Sequence, residues 1–137
     1  MSNQPRSITV DAARQLVTVV LTGRVSTEEL QQAFQAMVDH PGFSSGFDSL
    51  WDFRDASLVD ITVDGIQTIV DYVERHKDQR GAGSVLIVAP NDLDYGVSRT
   101  YEALAARLPT PIHTFRTMDE VHAWRAQTHG ARKRQAD

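Results

Sequence analysis

Hydrophobic residues recur along this chain with two periods that alternate. The β-branched and apolar runs Ile8–Val10 and Leu16–Thr22 lie close together and predict two strands joined as a hairpin. Further apolar runs at Phe47–Phe53, Val85–Ala89 and Ile112–Phe115 predict three more strands. Between and after these runs, apolar residues recur every three or four positions, which predicts four amphipathic helices. The predicted order is β-β-α-β-α-β-α-β-α.

Hydroxyl residues mark the starts of three of these helices. Ser26 is followed three residues later by Glu29, and Thr117 by Glu120, which is the spacing of a capping box. Thr62 lies at the corresponding place before the second helix and is expected to cap it. The third predicted helix has a less sharply defined start.

Alternation of strands and helices predicts the fold class. It is α/β, with a five-stranded, mostly parallel sheet, an N-terminal antiparallel hairpin and four helices. The run Val85–Ala89 is apolar on both faces, which is typical of a central parallel strand. If the strands are added in one direction, every crossover helix lies on the same face of the sheet. A second copy of the chain is one way to cover the other face, so we expect a homodimer.

Length and composition place this fold in one domain. The chain has 137 residues, enough for a core without a disulfide or a metal, and it has no cysteine. We expect a flexible N-terminal arm at residues 1–6 and a single domain at residues 7–126. Residues 127–137, which include the basic cluster Arg132–Arg134, are expected to form a flexible basic tail.

Charge and hydropathy exclude two further classes of partner. The formal net charge is −4, so the domain has no basic face of the kind that binds nucleic acid. The segment Met1–Ser7 is polar, and no apolar run approaches the ~20 residues that span a bilayer. We therefore expect a cytoplasmic protein without nucleic-acid binding and without a membrane span.

The sequence lacks the motifs of common catalytic and cofactor sites. Its five histidines show no metal-ligand spacing. The turn Ser44–Gly46 lacks the Gly-Lys-Ser/Thr ending of a phosphate loop, and there is no Gly-x-Ser-x-Gly elbow. We therefore expect no metal, no cofactor and no catalytic residues.

A group of polar residues is expected at the edge where the parallel strands end. Asp52 and Arg54 point the same way along the third strand because side chains alternate. Open α/β sheets bind ligands at this edge. An arginine among carboxylates usually forms a structural ion pair, and the alternative is a polar rim that orients a small ligand. The candidate ligand or partner edge comprises Asp52, Arg54, Asp55, Asp60, Tyr95, Arg99 and Tyr101.

The order and spacing of several segments resemble those of the STAS/SEC14-like family of small bacterial proteins with a SpoIIAA-like fold. The resemblance covers residues 7–126. The segments that carry it are Thr22–Ser26, Leu50–Arg54, Tyr95–Tyr101, Phe115, Asp119–Glu120 and Trp124. It implies a β/α domain with no known catalytic machinery. Related domains act as anti-sigma-factor antagonists, as parts of transporters, or as carriers of lipid or small ligands.

The resemblance also implies a candidate modification site. In phosphoswitch members of this family, an Asp-Ser-Ser-Gly motif before the second helix carries the phosphorylated serine. The matching stretch here, Asp60–Val63, keeps the aspartate and a hydroxyl at Thr62 but lacks the first serine and the glycine. Thr62 and Ser57 are therefore candidate phosphosites, and a purely structural helix cap is the alternative.

Three functions remain open on the sequence alone. The favoured one is a non-enzymatic regulatory or interaction module with a protein partner. The second is a carrier of a small ligand or lipid, and the third is an enzyme that uses the Asp/Arg cluster of the candidate edge. The carrier requires a pocket at the sheet edge lined by Trp51, Phe53, Tyr95 and Tyr101.

Overall fold

The computed structural model describes residues 6–136, with side chains through residue 128. The elements are β1 Arg6–Asp11, β2 Leu16–Arg24, α1 Thr27–Val38, β3 Asp48–Ser57, α2 Val63–Arg75, α3 Lys77–Arg80, β4 Val85–Val88, α4 Asp92–Leu104, β5 Ile112–Phe115 and α5 Met118–Ala136. The predicted order is confirmed, with one correction to the helix count. The described chain has five helices because it makes one additional short helix, α3, directly after α2.

The five strands form one sheet in the order β1-β2-β3-β4-β5. β1 pairs antiparallel with β2, and β2 to β5 are parallel to one another. The predicted hairpin and parallel sheet are therefore confirmed. β4 lies between β3 and β5, so the doubly apolar strand is an interior strand, although the middle position belongs to β3.

The predicted helix caps are confirmed by their hydrogen bonds. Ser26 and Glu29 form a full capping box at the start of α1. The Thr62 hydroxyl accepts a hydrogen bond of 3.0 Å from the backbone N–H of Gly65 at the start of α2. Thr117 and Glu120 bond reciprocally at the start of α5. These bonds satisfy backbone donors that a helix start otherwise leaves unpaired.

The start of α4 is different from the other helix starts because its cap is an amide. The Asn91 side chain accepts a hydrogen bond of 2.8 Å from the backbone N–H of Asp94. Asparagine is as good a cap as serine. The start that looked indistinct in the sequence is therefore a well-formed one.

Helices cover both faces of the sheet. α1, α2 and α4 pack on one face, over a core that includes Val19, Trp51 and Ile87. α5 packs on the other face, where Val121 lies in a smaller cluster with Leu86. The chain itself thus covers part of the face for which a second copy was expected.

Parts of the predicted domain limits fall outside the described residues. Residues 1–5 lie outside them, and Arg6 is the first residue of β1. The side chains of Arg132–Arg134, in the predicted basic tail, lie outside them too. The flexible arm and the flexible tail therefore stay predictions.

Candidate functional site

The polar residues predicted for the sheet edge lie where β3 and β4 end and where α2 and α4 begin. We call this region the carboxyl edge and define it as residues 54–63 and 90–95. Asp52 and Arg54 form one of its ion pairs, with Arg54 NH2 2.8 Å from Asp52 Oδ2. Burial favours a raised pKa for Asp52, but hydrogen bonds from the side chain and backbone of Arg54 outweigh it and hold this pKa below its usual value.

The Asp52–Arg54 pair faces α5 and not the helices of the other face. Asp52 is aligned with Val88, and Val88 packs with Leu50 and Val121 beneath α5. Side chains aligned on neighbouring strands point to the same face of a sheet. The predicted edge is therefore divided by the sheet, with this pair on one side and Thr62 on the other.

A second ion pair joins the end of β2 to the loop before α2. Arg24 Nε and NH2 donate to the two carboxylate oxygens of Asp60 at 2.9 and 2.6 Å. The hydrogen bond and charge of Arg24 lower the pKa of Asp60 despite a small opposing effect of desolvation. Both side chains are exposed, so the pair fixes the loop more than it stabilises the fold.

Asp94 connects the β3–α2 loop to α4. Its carboxylate is buried and accepts hydrogen bonds of 2.8 Å from the backbone N–H of Leu58 and 2.7 Å from the Asn91 side chain. Sequence reasoning missed this residue. The Asn91–Asp94 spacing was the available indication, since it is the three-residue spacing of a reciprocal cap.

Tyr95, Tyr101 and Arg99, which were predicted for the same edge, do not form one cluster with the Asp52–Arg54 pair. Arg116 stacks over the Tyr95 ring, with its guanidinium carbon 4.0 Å from the ring centroid. Arg99 lies 3.4 Å from the Tyr95 hydroxyl and 3.7 Å from the Glu102 carboxylate, rather than joining Asp52 and Arg54. Tyr101 points into the interior instead, as described below.

Three exposed apolar side chains lie on the two segments of the carboxyl edge. Val59, Val63 and Leu93 are 51%, 65% and 50% exposed, and they are the large hydrophobic residues of the described chain that are exposed. Val59 and Leu93 adjoin the two residues joined by the Leu58–Asp94 hydrogen bond, so the loop and the helix start hold them near one another. We call these three residues the apolar triad.

The hydroxyls proposed for modification lie in this same region. Thr62 is exposed, and its hydroxyl also serves as the α2 cap. Ser57 is partly buried, and its hydroxyl accepts a weaker hydrogen bond of 3.3 Å from the Val59 N–H. Asp55 is exposed and adds to the charge near Arg54. The structure thus keeps Thr62 accessible at a helix N-terminus.

A cavity of about 90 Å³ lies between the sheet and the helices α1, α2 and α4. We call it the inner cavity. Its walls are almost entirely apolar, and they include Trp51, Phe53 and Tyr101 from the predicted pocket but not Tyr95. The cavity lies beneath the helices rather than at the carboxyl edge, which corrects the predicted position of a pocket. Ser98 and Arg80 are polar members of its lining.

Arg80 is buried at the opposite, amino-terminal end of the parallel strands. It is 1% exposed and donates to the carbonyl oxygens of Phe47, Gly83 and Ser84 and to the Ser49 hydroxyl, at 2.7–3.2 Å. Burial lowers its pKa to about 10, against opposing effects of Asp48 and Tyr101. Its Nε has no hydrogen-bond partner among the described residues.

Close backbone approach around the loop after α3 buries Arg80. A Cβ on Gly83 would lie 2.3 Å from the Phe47 carbonyl oxygen, and one on Gly81 would lie 2.4 Å from the Gly46 nitrogen. Only glycine permits this contact. Sequence reasoning missed Arg80 because an arginine beside other charged residues usually lies at the surface. The flanking glycines were the one available indication.

Neither a metal cluster nor a membrane helix is found in the described part of the chain. Among residues 6–128, no three or more His, Asp or Glu side chains are grouped to hold a metal ion. No described helix is long and apolar enough to cross a bilayer.

Neither a family model nor a curated protein matches the sequence. Among solved structures, the chain is similar to an uncharacterized protein from the DUF3478 family with a SpoIIAA-like fold from Shewanella loihica PV-4. The TM-score is 0.53 at 14% identity, over 90% of this chain and 98% of that one. It is also similar to the anti-sigma factor antagonist SpoIIAA in its unphosphorylated form, with a TM-score of 0.50 at 13% identity and the same coverage. These similarities establish a SpoIIAA-like fold for this chain.

Proposed function

We propose that this chain is a non-enzymatic, STAS-type regulatory or interaction module that binds a protein partner at its carboxyl edge. The observation that carries the proposal is the apolar triad of Val59, Val63 and Leu93, exposed on the two segments of the carboxyl edge. Single exposed hydrophobic residues are common, but a group rimmed by polar side chains is typical of an interaction site. The Arg24–Asp60 pair supplies such a rim beside the triad.

The construction of this edge supports partner binding because the loop is fixed before a partner arrives. Asp94 holds the Leu58 backbone, and Arg24 holds Asp60. A surface that is already ordered loses less conformational entropy on binding. The similarity to SpoIIAA, described as an anti-sigma factor antagonist, favours the same class of role here.

Phosphorylation of Thr62 would be the regulatory part of this proposal. A phosphate there would lie at the N-terminus of α2, where free N–H groups and the helix dipole stabilise a negative charge. Asp60 and Asp64 would oppose it, although Arg24 already pairs with Asp60. The added charge would lie beside Val63, which directly follows Thr62, and would weaken an apolar contact there.

Site-specific photo-crosslinking in cells of the source organism tests the partner surface. A photoreactive phenylalanine replaces Val63 in one version and the exposed Gln79, far from the carboxyl edge, in a control. We expect the first to crosslink to one protein and the second to crosslink to none. Leu93→Asp should abolish the crosslink, whereas Ala123→Asp, at an exposed site on α5, should leave it unchanged.

The outcomes separate the surface from the switch. Equal crosslinking from both positions, or a crosslink that survives Leu93→Asp, would overturn the proposed partner surface. Intact-mass analysis of protein purified from its own cells tests the switch separately. A phosphate on Thr62 or Ser57 supports it, and its absence under every growth condition removes the switch while leaving the surface standing.

A cytoplasmic location and the predicted homodimer belong to this proposal. α5 packs on β4 and β5 and covers only part of the face that first motivated a dimer. Lipid carriage is not proposed. The inner cavity, about 90 Å³, is smaller than the roughly 150 Å³ cavity that holds benzene in other proteins, and a lipid tail is much larger.

A further inference from the structure

We propose that the inner cavity is a binding site for a small carboxylate with a short apolar body, held by Arg80, Ser98 and Tyr101. This site is independent of the carboxyl edge and shares none of the residues proposed to contact a partner. Three observations carry it: a buried charged donor without a partner, a buried hydroxyl without a partner, and an apolar cavity that both of them line.

The Arg80 guanidinium is the charged group of the site. Its NH1 and NH2 groups are bound by neutral acceptors, namely backbone carbonyls and the Ser49 hydroxyl. Its Nε–H is buried and has no acceptor within the described chain. A buried donor left without an acceptor is costly, and more so on a charged group. A carboxylate oxygen is the acceptor that bonds most strongly to such a donor.

Charge near Arg80 favours an anion over a neutral ligand. Asp48, the carboxylate that acts electrostatically on Arg80, is also 3.3 Å from the buried Arg125. The Asp48 carboxylate therefore interacts with two buried arginines and is not reserved for Arg80. An anionic ligand beside Arg80 would attract the guanidinium at close range, where low polarity strengthens the attraction.

Ser98 supplies the second donor. It is 2% exposed, lines the cavity, and its Oγ has no hydrogen-bond partner in the described residues. Hydroxyls elsewhere in the helices behave differently. Thr100 donates to the carbonyl of Gly96, and Thr68 to that of Asp64, each at 3.0 Å. Ser98 makes no such bond although its helix offers the same geometry, so its hydroxyl is available to a ligand.

Tyr101 supplies the third donor from the next turn of α4. The residue is partly exposed, and its side chain lines the cavity together with Arg80 and Ser98. Desolvation raises the pKa of its phenol to about 12, against an opposing effect of the Arg80 charge. Arg80 Nε and Ser98 Oγ have no hydrogen-bond partner in the described chain.

Two other polar side chains line the cavity, and both are already bonded. The hydroxyl of Thr110 donates to the Gly81 carbonyl, and the indole N–H of Trp51 donates to the Ser49 hydroxyl. None of the described lining residues carries a carboxylate. The group that the three donors recognise is therefore a hydrogen-bond acceptor.

The size of the cavity limits the rest of the ligand. A volume of about 90 Å³ exceeds that of a single water site and is below that of a benzene site. Apart from Thr110, its remaining lining is hydrophobic, with Phe34, Trp51 and Ile87 among the walls. A carboxylate with about two to four carbons fits these limits by this comparison, and we take propionate as the probe.

Nuclear magnetic resonance titration of ¹⁵N-labelled protein tests the site directly. The Nε–H resonance of Arg80 reports a new hydrogen bond, and propionamide serves as a neutral ligand of the same shape. We expect propionate to shift this resonance and the amide resonances of Ser98 and Tyr101 in a saturable way. Propionamide should bind at least about tenfold more weakly, because it lacks the charge.

Two variants and a matched control locate the binding. Ser98→Ala and Tyr101→Phe each remove one donor without adding bulk, and each should weaken propionate binding by about five- to tenfold. Thr100→Val, on the same helix but with a hydroxyl already bonded within it, should change nothing. Binding in all three variants equal to that of the unmodified protein would place the ligand elsewhere and overturn the proposal.

Two further outcomes would also overturn it. One is the absence of any saturable shift with acetate, propionate or butyrate, in protein whose spectrum shows an intact fold. The other is equal affinity for propionate and propionamide, which would show that Arg80 does not recognise charge. Both outcomes leave the partner surface untouched, because it shares no residue with the cavity.

Discussion

The carboxyl edge and the inner cavity contain similar polar side chains that differ in whether their polar atoms have partners. At the edge, Asp52 pairs with Arg54, and Arg24 pairs with Asp60. In the cavity, Arg80 and Ser98 are buried with atoms that no described residue satisfies. The charged residues predicted for the edge thus mainly form ion pairs that fix loops. The buried polar side-chain atoms without a hydrogen-bond partner in the described chain belong to Arg80 and Ser98, which were not among the residues predicted from the sequence.

The largest expected effect is the difference in stability lost when a buried arginine and an exposed arginine are each replaced by methionine. Arg80→Met should lower the free energy of unfolding by about 3–5 kcal/mol, because it removes the four hydrogen bonds that the guanidinium donates. The Ser84 carbonyl keeps the Ser49 N–H as a donor, and the Ser49 hydroxyl keeps the Trp51 indole N–H. The same change at Arg24 should have little measurable effect, since both members of its pair are exposed. Urea unfolding of the two variants measures the difference.

Equally large losses of unfolding free energy in the two Arg→Met variants would contradict the proposed difference between the two regions. They would mean that the carboxyl edge contributes to stability as much as the buried arginine does. A small loss for both would mean that the contacts of Arg80 merely offset the cost of burying its charge.

The second effect is a change in stability of opposite sign when Gly83, near Arg80, and Gly96, near the carboxyl edge, are each replaced by alanine. Gly83→Ala should destabilise the fold by about 1–3 kcal/mol, because its Cβ would meet the backbone of Phe47 and force the chain apart. Gly96→Ala, in α4 near the carboxyl edge, meets nothing within 4 Å and should stabilise by about 0.5–1 kcal/mol. Thermal unfolding of both variants checks the opposite signs, and equal signs would contradict the close packing that buries Arg80.

Much of the fold could be predicted because local rules and tertiary packing agree. The capping boxes at Ser26 and Thr117, the hairpin and the doubly apolar β4 strand are all local patterns. The cover provided by α5 could not be predicted in the same way. The face on which a terminal helix packs depends on the whole sheet. The helix has the same apolar stripe in its sequence whichever face it covers.

The candidate site was less predictable than the fold, for a physical reason. Asp52 and Arg54 were correctly expected to lie together because strand side chains alternate. Arg99 was expected beside them, but it lies on a helix across the sheet and contacts Tyr95 and Glu102. Whether a polar atom is left unpaired depends on contacts distant in sequence, so Arg80 and Ser98 could not be identified from local patterns.

A pair of hydroxyl deletions gives the third and smaller effect. Thr62→Ala should cost about 1 kcal/mol, because it removes the cap of α2, and Thr62→Ser should restore most of it. Ser98→Ala should be neutral or slightly stabilising, because it removes a buried hydroxyl that has no partner within the described chain. Urea unfolding in ligand-free buffer compares the three variants. A loss for Ser98→Ala as large as that for Thr62→Ala would show that the Ser98 hydroxyl is satisfied within the protein.

The smallest effect appears only in alkaline solution and concerns Tyr101. Desolvation raises the pKa of its phenol to about 12, partly opposed by Arg80, whereas an unfolded chain would release this proton near 10. At the Tyr101 phenol, the folded state keeps a proton that the unfolded state releases between these pH values, so this residue's contribution to stability is present below pH 10 and is lost as the pH rises towards 12. The lowered pKa of Arg80, about 10, has the opposite effect over the same interval, so the Tyr101 contribution is measured as a difference between variants. Tyr101→Phe should therefore lose less stability than the unmodified protein over that interval. Ultraviolet titration of tyrosinate should show a phase near pH 12, and this phase should disappear in Tyr101→Phe. If the unmodified protein shows no such phase, the Tyr101 hydroxyl is in contact with solvent, and the inner cavity loses one of its three proposed donors.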